Sequence, residues 1–393
     1  MKFSDMAIMW LLLGVGIAFI RTKDWSIYMT PYVLIVIGIF FLIAIQAALA
    51  SINYQQPLID GLIITRTYWC YIAFLVILYL LDDSRKLHQF LDLLTWVAFI
   101  LIGLSVINYI NPVVFHHDWA EGQGIRSGIV RAYIPGMDLL TLSTLWQFSK
   151  WSEEPREKGI SSLKTVVLYA AHIFRQSRGR LLSLTIVIMG LLLFRRQYKI
   201  LFITGFFSIA GYLLVENAME ENLLESVFVS SVESISESSG TWGSRLDFMS
   251  TDIEHFKKNV WFGDGVGALR LDEEAKYKTL QEIELQDVAA KADLGYTRWL
   301  KSFGILGALW LVALYYFFIN GIMRTSRSAN PRHRVLVLFV LGYFSFIVIS
   351  AITLNQFMLQ PRIFLISLCA AILIRVAYEQ RREKSGLPDI PGG

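Results

Sequence analysis

The side chains in this sequence best suited to phosphate chemistry are arginines in costly places. Residues 171–190 read AHIFRQSRGRLLSLTIVIMG, which sets Arg175, Arg178 and Arg180 against an apolar run. At the centre of a membrane helix each arginine costs roughly 2.5–3.5 kcal/mol on insertion scales. A guanidinium keeps its charge and grips phosphate oxygens through paired N–H bonds, so a bound anion would offset that cost. Arg175 and Arg180 fit the pattern of side chains that snorkel to the membrane edge. Arg178, framed by Ser177 and Gly179 at a helix break, is the functional candidate. Arg245, in SRLDFMSTDIEHFKKNVWFGDGVG, falls in the first turn of an expected helix, where a cation calls for an anion. Asp293, in KADLGYTRWLKSFGILGALW, stands at the mouth of a later apolar segment with Tyr296 on the same face. A carboxylate there is either solvated or, in a partly dry pocket, a general base.

Other groups carry less. His116, His117 and Asp118 adjoin one another, but no third or fourth ligand is near, and no metal site is expected. His172 reads as a packed helix residue. Arg126 and Arg131 flank the start of a span, where they either snorkel or add positive charge to a cavity. GDGVGAL (263–269) has G-x-G-x-G spacing without a βαβ unit, so it reads as a turn rather than a nucleotide loop. Cys70 and Cys369 lie in apolar stretches as buried free thiols.

The elements that must position these residues are membrane helices. Of the 393 residues, 55% are hydrophobic and only 17% charged, against roughly 25% charged in soluble domains; mean hydropathy is +0.50. Apolar runs recur at 5–20, 30–50, 66–81, 90–110, 130–148, 163–175, 181–195, 200–215, 298–320, 334–356 and 359–378. The chain is therefore expected to be an all-α polytopic membrane protein with about 11 (10–12) transmembrane helices. The N-terminal run lacks a small-residue cleavage site and reads as a retained helix. The net charge of +4 comes with no basic stripe interleaved with aromatics, which argues against nucleic acid as a partner.

The organisation follows from the same pattern: a bundle over 1–215, a loop domain over 216–297, further spans over 298–378 and a tail over 379–393. Basic loops at 82–88, 195–199, 324–334 and 375–384 place those ends in the cytoplasm. The loop of about eighty residues then faces outward and is too long for a plain connector. Within it Leu246, Met249, Ile253, Phe256 and Val260 recur at helical spacing as one apolar face, and Ser244 with Asp247 has capping-box spacing. This count also puts RQSRGR near the outer surface, against the positive-inside tendency. Either the count is off or those arginines meet an anion outside.

Taken together, RQSRGRLLSLTIVIMGLLLF, SRLDFMSTDIEHFKKNVWFGDGVGAL and ADLGYTRWLKSFGILG resemble, in order and spacing, the segments of bacterial O-antigen polymerases and O-antigen ligases. The resemblance covers roughly residues 130–320. Ligases usually carry His-Asn where this chain has Asp293 and Leu294, so the polymerase branch is the better match. The resemblance implies a GT-C-like glycosyltransferase architecture in the bacterial inner membrane, with its active site facing the periplasm and no metal or cofactor. It implies an undecaprenyl-diphosphate-linked oligosaccharide as substrate, membrane lipids as surroundings and a chain-length regulator protein as a further partner. Arg178 and Arg245 would then hold the diphosphate and Asp293 would take the acceptor proton. Arg126, Arg131, Arg180, Tyr296 and Ser177 would line the substrate. The rivals are a ligase acting on lipid A core and, from another class, a transporter or flippase for an anionic lipid. A transporter typically shows repeated halves, and this sequence shows no convincing internal repeat.

Overall fold

The computed structural model describes residues 3–21, 25–54, 57–110, 125–126, 129–130, 136–154, 157–175, 178–198, 240–265 and 295–385. These residues are helical apart from one ladder of two strands, β1 (Ile125–Arg126) and β2 (Ile129–Val130). Among the described residues five helices are long and apolar enough to cross a membrane. They are α2 (Pro31–Tyr54), α5 (Ser84–Ile110), α10 (Tyr296–Thr325), α11 (Pro331–Ser350) and α12 (Gln360–Ser385). Shorter apolar helices are α1 (Phe3–Arg21), α4 (Ala73–Leu80) with the 3-10 turn before it, and α8 (Arg178–Phe194). The remaining helices are α3 (Leu58–Ile64), α6 (Met137–Glu153), α7 (Lys158–Arg175) and α9 (Gly240–Lys258). The expected span at 200–215 lies outside the described residues.

The outward residues are those of a chain that lies in lipid. Ile20, Leu34, Phe41, Trp96, Val312 and Tyr316 are all exposed, a surface that water would not tolerate. Both cysteines are free and buried, as expected.

The chain forms two compact units, Met1–Phe90 with Met249–Gly393, and Leu91–Phe248. The first is built on the packing of α12 against α4, its preceding turn, α10 and α11. Its centre is aromatic: Trp299 stacks on Trp310 at 5.2 Å, and Tyr71 meets Trp310 edge-on at 5.3 Å. The indole N–H groups of these tryptophans donate to the carbonyls of Gly307 (2.8 Å) and Ile35 (2.7 Å), so their burial leaves no donor unmet. Helix α11 starts at an Asn-Pro pair: the Asn330 side chain accepts from the Arg332 amide at 3.1 Å and Pro331 takes a first-turn position.

The second unit centres on the hairpin of α6 and α7. Ala98, Leu140, Leu168 and Ala171 form its apolar core. The far end of α6 is tied by charge: Lys150 pairs with Asp92 (3.2 Å) and Glu157 (2.7 Å), while Arg195 pairs with Glu153. Helix α7 runs from Lys158, five residues earlier than its apolar run suggested, and is amphipathic rather than a spanning segment. Its polar residues at 158–162 are compatible with helix but carry no hydropathy signal.

Candidate functional site

Two places gather the chemistry. The first lies where α7 and α8 adjoin in the chain. The described part of α7 runs to Arg175 and that of α8 from Arg178; the expected helix break between them lies outside the described residues. Arg180 does not snorkel. It is buried, and its guanidinium forms an ion pair of 2.7 Å with Asp138 in the first turn of α6. A buried charge needs such a partner, and the partner came from a helix that the hydropathy pattern could not align with α8. His172 is fully buried beside this pair, against the Leu140 backbone. For Arg178 the backbone alone is described, and it is helical, within α8.

The second place is the end of α9. This helix begins at Gly240, so Ser244 lies inside it rather than capping it, and Arg245 sits in the second turn rather than the first. The four residues ahead of Ser244 include two glycines, which hid the true start. The expected apolar face is also displaced. Asp252, which neighbours Met249 and Phe256 on the helix, is 1% exposed, whereas Ile253 and Val260 are 40% and 37% exposed. The buried carboxylate is compensated by Arg298 (3.1 Å) and Lys301 (3.4 Å) at the start of α10. Those two cations, more than forty residues away in sequence, decide which face of α9 turns inward.

After α9 the chain makes a turn through Gly263 (φ 72°) and Gly265 (φ 95°). The GDG segment is therefore a turn, as its spacing suggested, and it fills a gap in α10. That helix is interrupted at Gly304 (φ 61°, ψ −155°). Three backbone groups freed by the break bond to the turn instead. The amides of Ile305 and Leu306 donate to the carbonyls of Val260 (2.8 Å) and Trp261 (3.3 Å), and the Asp264 amide donates to the Lys301 carbonyl at 2.7 Å. A break at membrane depth is tolerated only when its polar groups are met within the protein. The side-chain amide of Gln46 on α2 adds a hydrogen bond to the Phe262 carbonyl.

No protein-family model matches the chain, and no curated protein matches it.

The turn also builds an arrangement that the sequence reading missed. The Asp264 carboxylate, nearly buried, accepts from Asn259 Nδ2 at 2.8 Å and lies 2.6 Å from His255 Nδ1. The His255 side chain is 28% exposed. A carboxylate that fixes one ring nitrogen leaves the other able to take or give a proton. The signal was present in the sequence as His-x3-Asn-x4-Asp over the end of an amphipathic helix.

The other expected residues are placed as follows. Tyr296 opens α10; its hydroxyl lies 2.7 Å from the Tyr315 hydroxyl and donates to the Val348 carbonyl at 2.9 Å. It thus joins α10 to α11. Arg126 is in β1, opposite Ile129 of β2, and Arg245 is in α9; their side chains lie outside the described part. Asp293, Arg131, Ser177, His116, His117 and Asp118 lie outside the described residues.

Proposed function

We propose that the chain is a bacterial surface-polysaccharide polymerase of the O-antigen type. It joins undecaprenyl-diphosphate-linked oligosaccharides at the outer face of the inner membrane by metal-independent, inverting glycosyl transfer. The observation that carries this reading is the division of labour at the start of α8. Arg180 is neutralised by Asp138 and anchors the helix. Arg178, two residues earlier in the same helix, is the arginine assigned to the diphosphate.

In the proposed reaction the acceptor hydroxyl oxygen attacks the anomeric carbon of the donor sugar. The bond from that carbon to the diphosphate oxygen breaks, and the electron pair leaves with the lipid diphosphate. Arg178 and Arg245 stabilise the charge that develops there. The acceptor proton goes to a base. Asp293 is the base that the resemblance implies; His255 is a second candidate, favoured by its pairing with Asp264.

The test compares a deletion strain with strains carrying Arg178→Ala or Arg245→Ala. Surface polysaccharide is run on a gel and the lipid-linked pool is analysed beside it. Cores capped with a single repeat are the expected result in all three, with the two variants present at normal protein level. Bare cores with long polymer stranded on the carrier would make the protein a ligase instead. A normal ladder in both variants would remove the arginines from the mechanism.

A further inference from the structure

The first unit holds a second place for an anion, at the other end of α10. There an open crevice of about 130 Å³ lies between the start of α2, the last turns of α10 and the middle of α12. Its apolar wall comes from Phe317, Leu373 and Ile374; its polar rim carries Asn320, Arg324 and Arg381. Among the described residues no aspartate or glutamate lines it.

Elsewhere in this unit three arginines are engaged. Arg298 pairs with Asp252, Arg362 donates to the Asn355 carbonyl, and Arg375 donates to the Leu78 carbonyl. Arg324 and Arg381, the two arginines on the crevice, are exposed, and among the described residues neither has an ion pair or side-chain hydrogen bond, as is also true of Arg85, Arg327 and Arg332 away from it. Thr30, also on the crevice, has a hydroxyl without a hydrogen-bond partner. Met29 beside it is 77% exposed, an apolar side chain that calls for hydrocarbon.

Two unspent guanidiniums above an apolar wall match a molecule with an anionic head and a greasy body. This end of the bundle carries the basic stretches 324–334 and 375–384, which the positive-inside tendency assigns to the cytoplasm. Basic pockets between spanning helices on that side suit anionic headgroups. We propose that this crevice binds an anionic glycerophospholipid of the cytoplasmic leaflet, with its phosphate held by Arg324 and Arg381 and an acyl chain along Phe317 and Leu373. The site is separate from the proposed transfer reaction and stands or falls without it.

The experiment uses the full chain, delipidated in mild detergent, with native mass spectrometry to count bound lipid. Phosphatidylglycerol should bind at about tenfold lower concentration than phosphatidylcholine, and Arg324→Gln with Arg381→Gln should abolish that preference. Because both arginines are exposed, the double variant should keep the wild-type melting transition. Leu373→Trp, which fills the wall and leaves the charges, should weaken both lipids. Equal phosphatidylglycerol preference in wild type and double variant would overturn the proposal. So would competition by inorganic phosphate at matched concentration, which would make this a simple anion site. Tighter binding of a polyprenyl phosphate than of phosphatidylglycerol would also overturn it, by giving the crevice to the carrier.

Discussion

Replacing Gly304 by alanine should undock the turn at the end of α9. At φ 61° and ψ −155° the backbone occupies a region that is essentially glycine's own, and a side chain there costs about 1–3 kcal/mol. Space is also lacking: a Cβ at this position would lie 2.5 Å from the Trp261 carbonyl oxygen and 2.6 Å from the Gly263 nitrogen. Both are backbone atoms and cannot swing aside. Relief requires the turn to withdraw, which sacrifices the hydrogen bonds from Ile305 to Val260 and from Leu306 to Trp261, at about 0.5–1.5 kcal/mol each. The sum is roughly 2–6 kcal/mol, enough to lower the melting transition by about 5 °C or more. The readout is twofold: the melting transition in detergent, and the rate of tryptic cleavage after Lys257 and Lys258, which directly precede the turn. Cleavage should quicken in Gly304→Ala and stay unchanged in Gly190→Ala, where a Cβ meets nothing within 4 Å. Wild-type melting and cleavage in Gly304→Ala would refute the account of the break.

Asp138→Asn should destabilise the second unit by about 3–5 kcal/mol, because Arg180 is left buried and unpaired; Asp138→Ala with Arg180→Leu should recover most of the melting transition, and failure to do so would mean that packing rather than charge fixes the start of α8. Asp293→Asn and His255→Gln separate the two candidate bases by turnover of lipid-linked substrate. The base variant should lose turnover at every pH while still binding substrate; near-normal turnover in both would place the base elsewhere. If His255 is the base, Asp264→Asn should also cut turnover, whereas an Asp293 base leaves that variant affected only through stability.

Hydropathy and helical period determined much of this protein. The membrane class, the apolar middles of α2, α5 and α11 and the glycine turn after α9 are local properties, set by neighbours a few residues apart, although the ends of those helices fall up to six residues from their apolar runs. The tertiary structure decided what depends on distant partners. Asp252 turns inward because Arg298 and Lys301 wait for it, although the apolar stripe beside it pointed elsewhere. Arg180 is structural because Asp138 lies forty-two residues back in the chain and yet beside it in space. The apolar run over 298–320 read as one continuous helix with glycines for close packing. Gly307 serves that purpose by accepting the Trp299 indole, but Gly304 interrupts the helix because the turn from α9 supplies its missing hydrogen-bond partners. A sequence shows which residues can break a helix; whether one does depends on what arrives to meet the freed backbone groups, and that is settled only when the chain has folded back on itself.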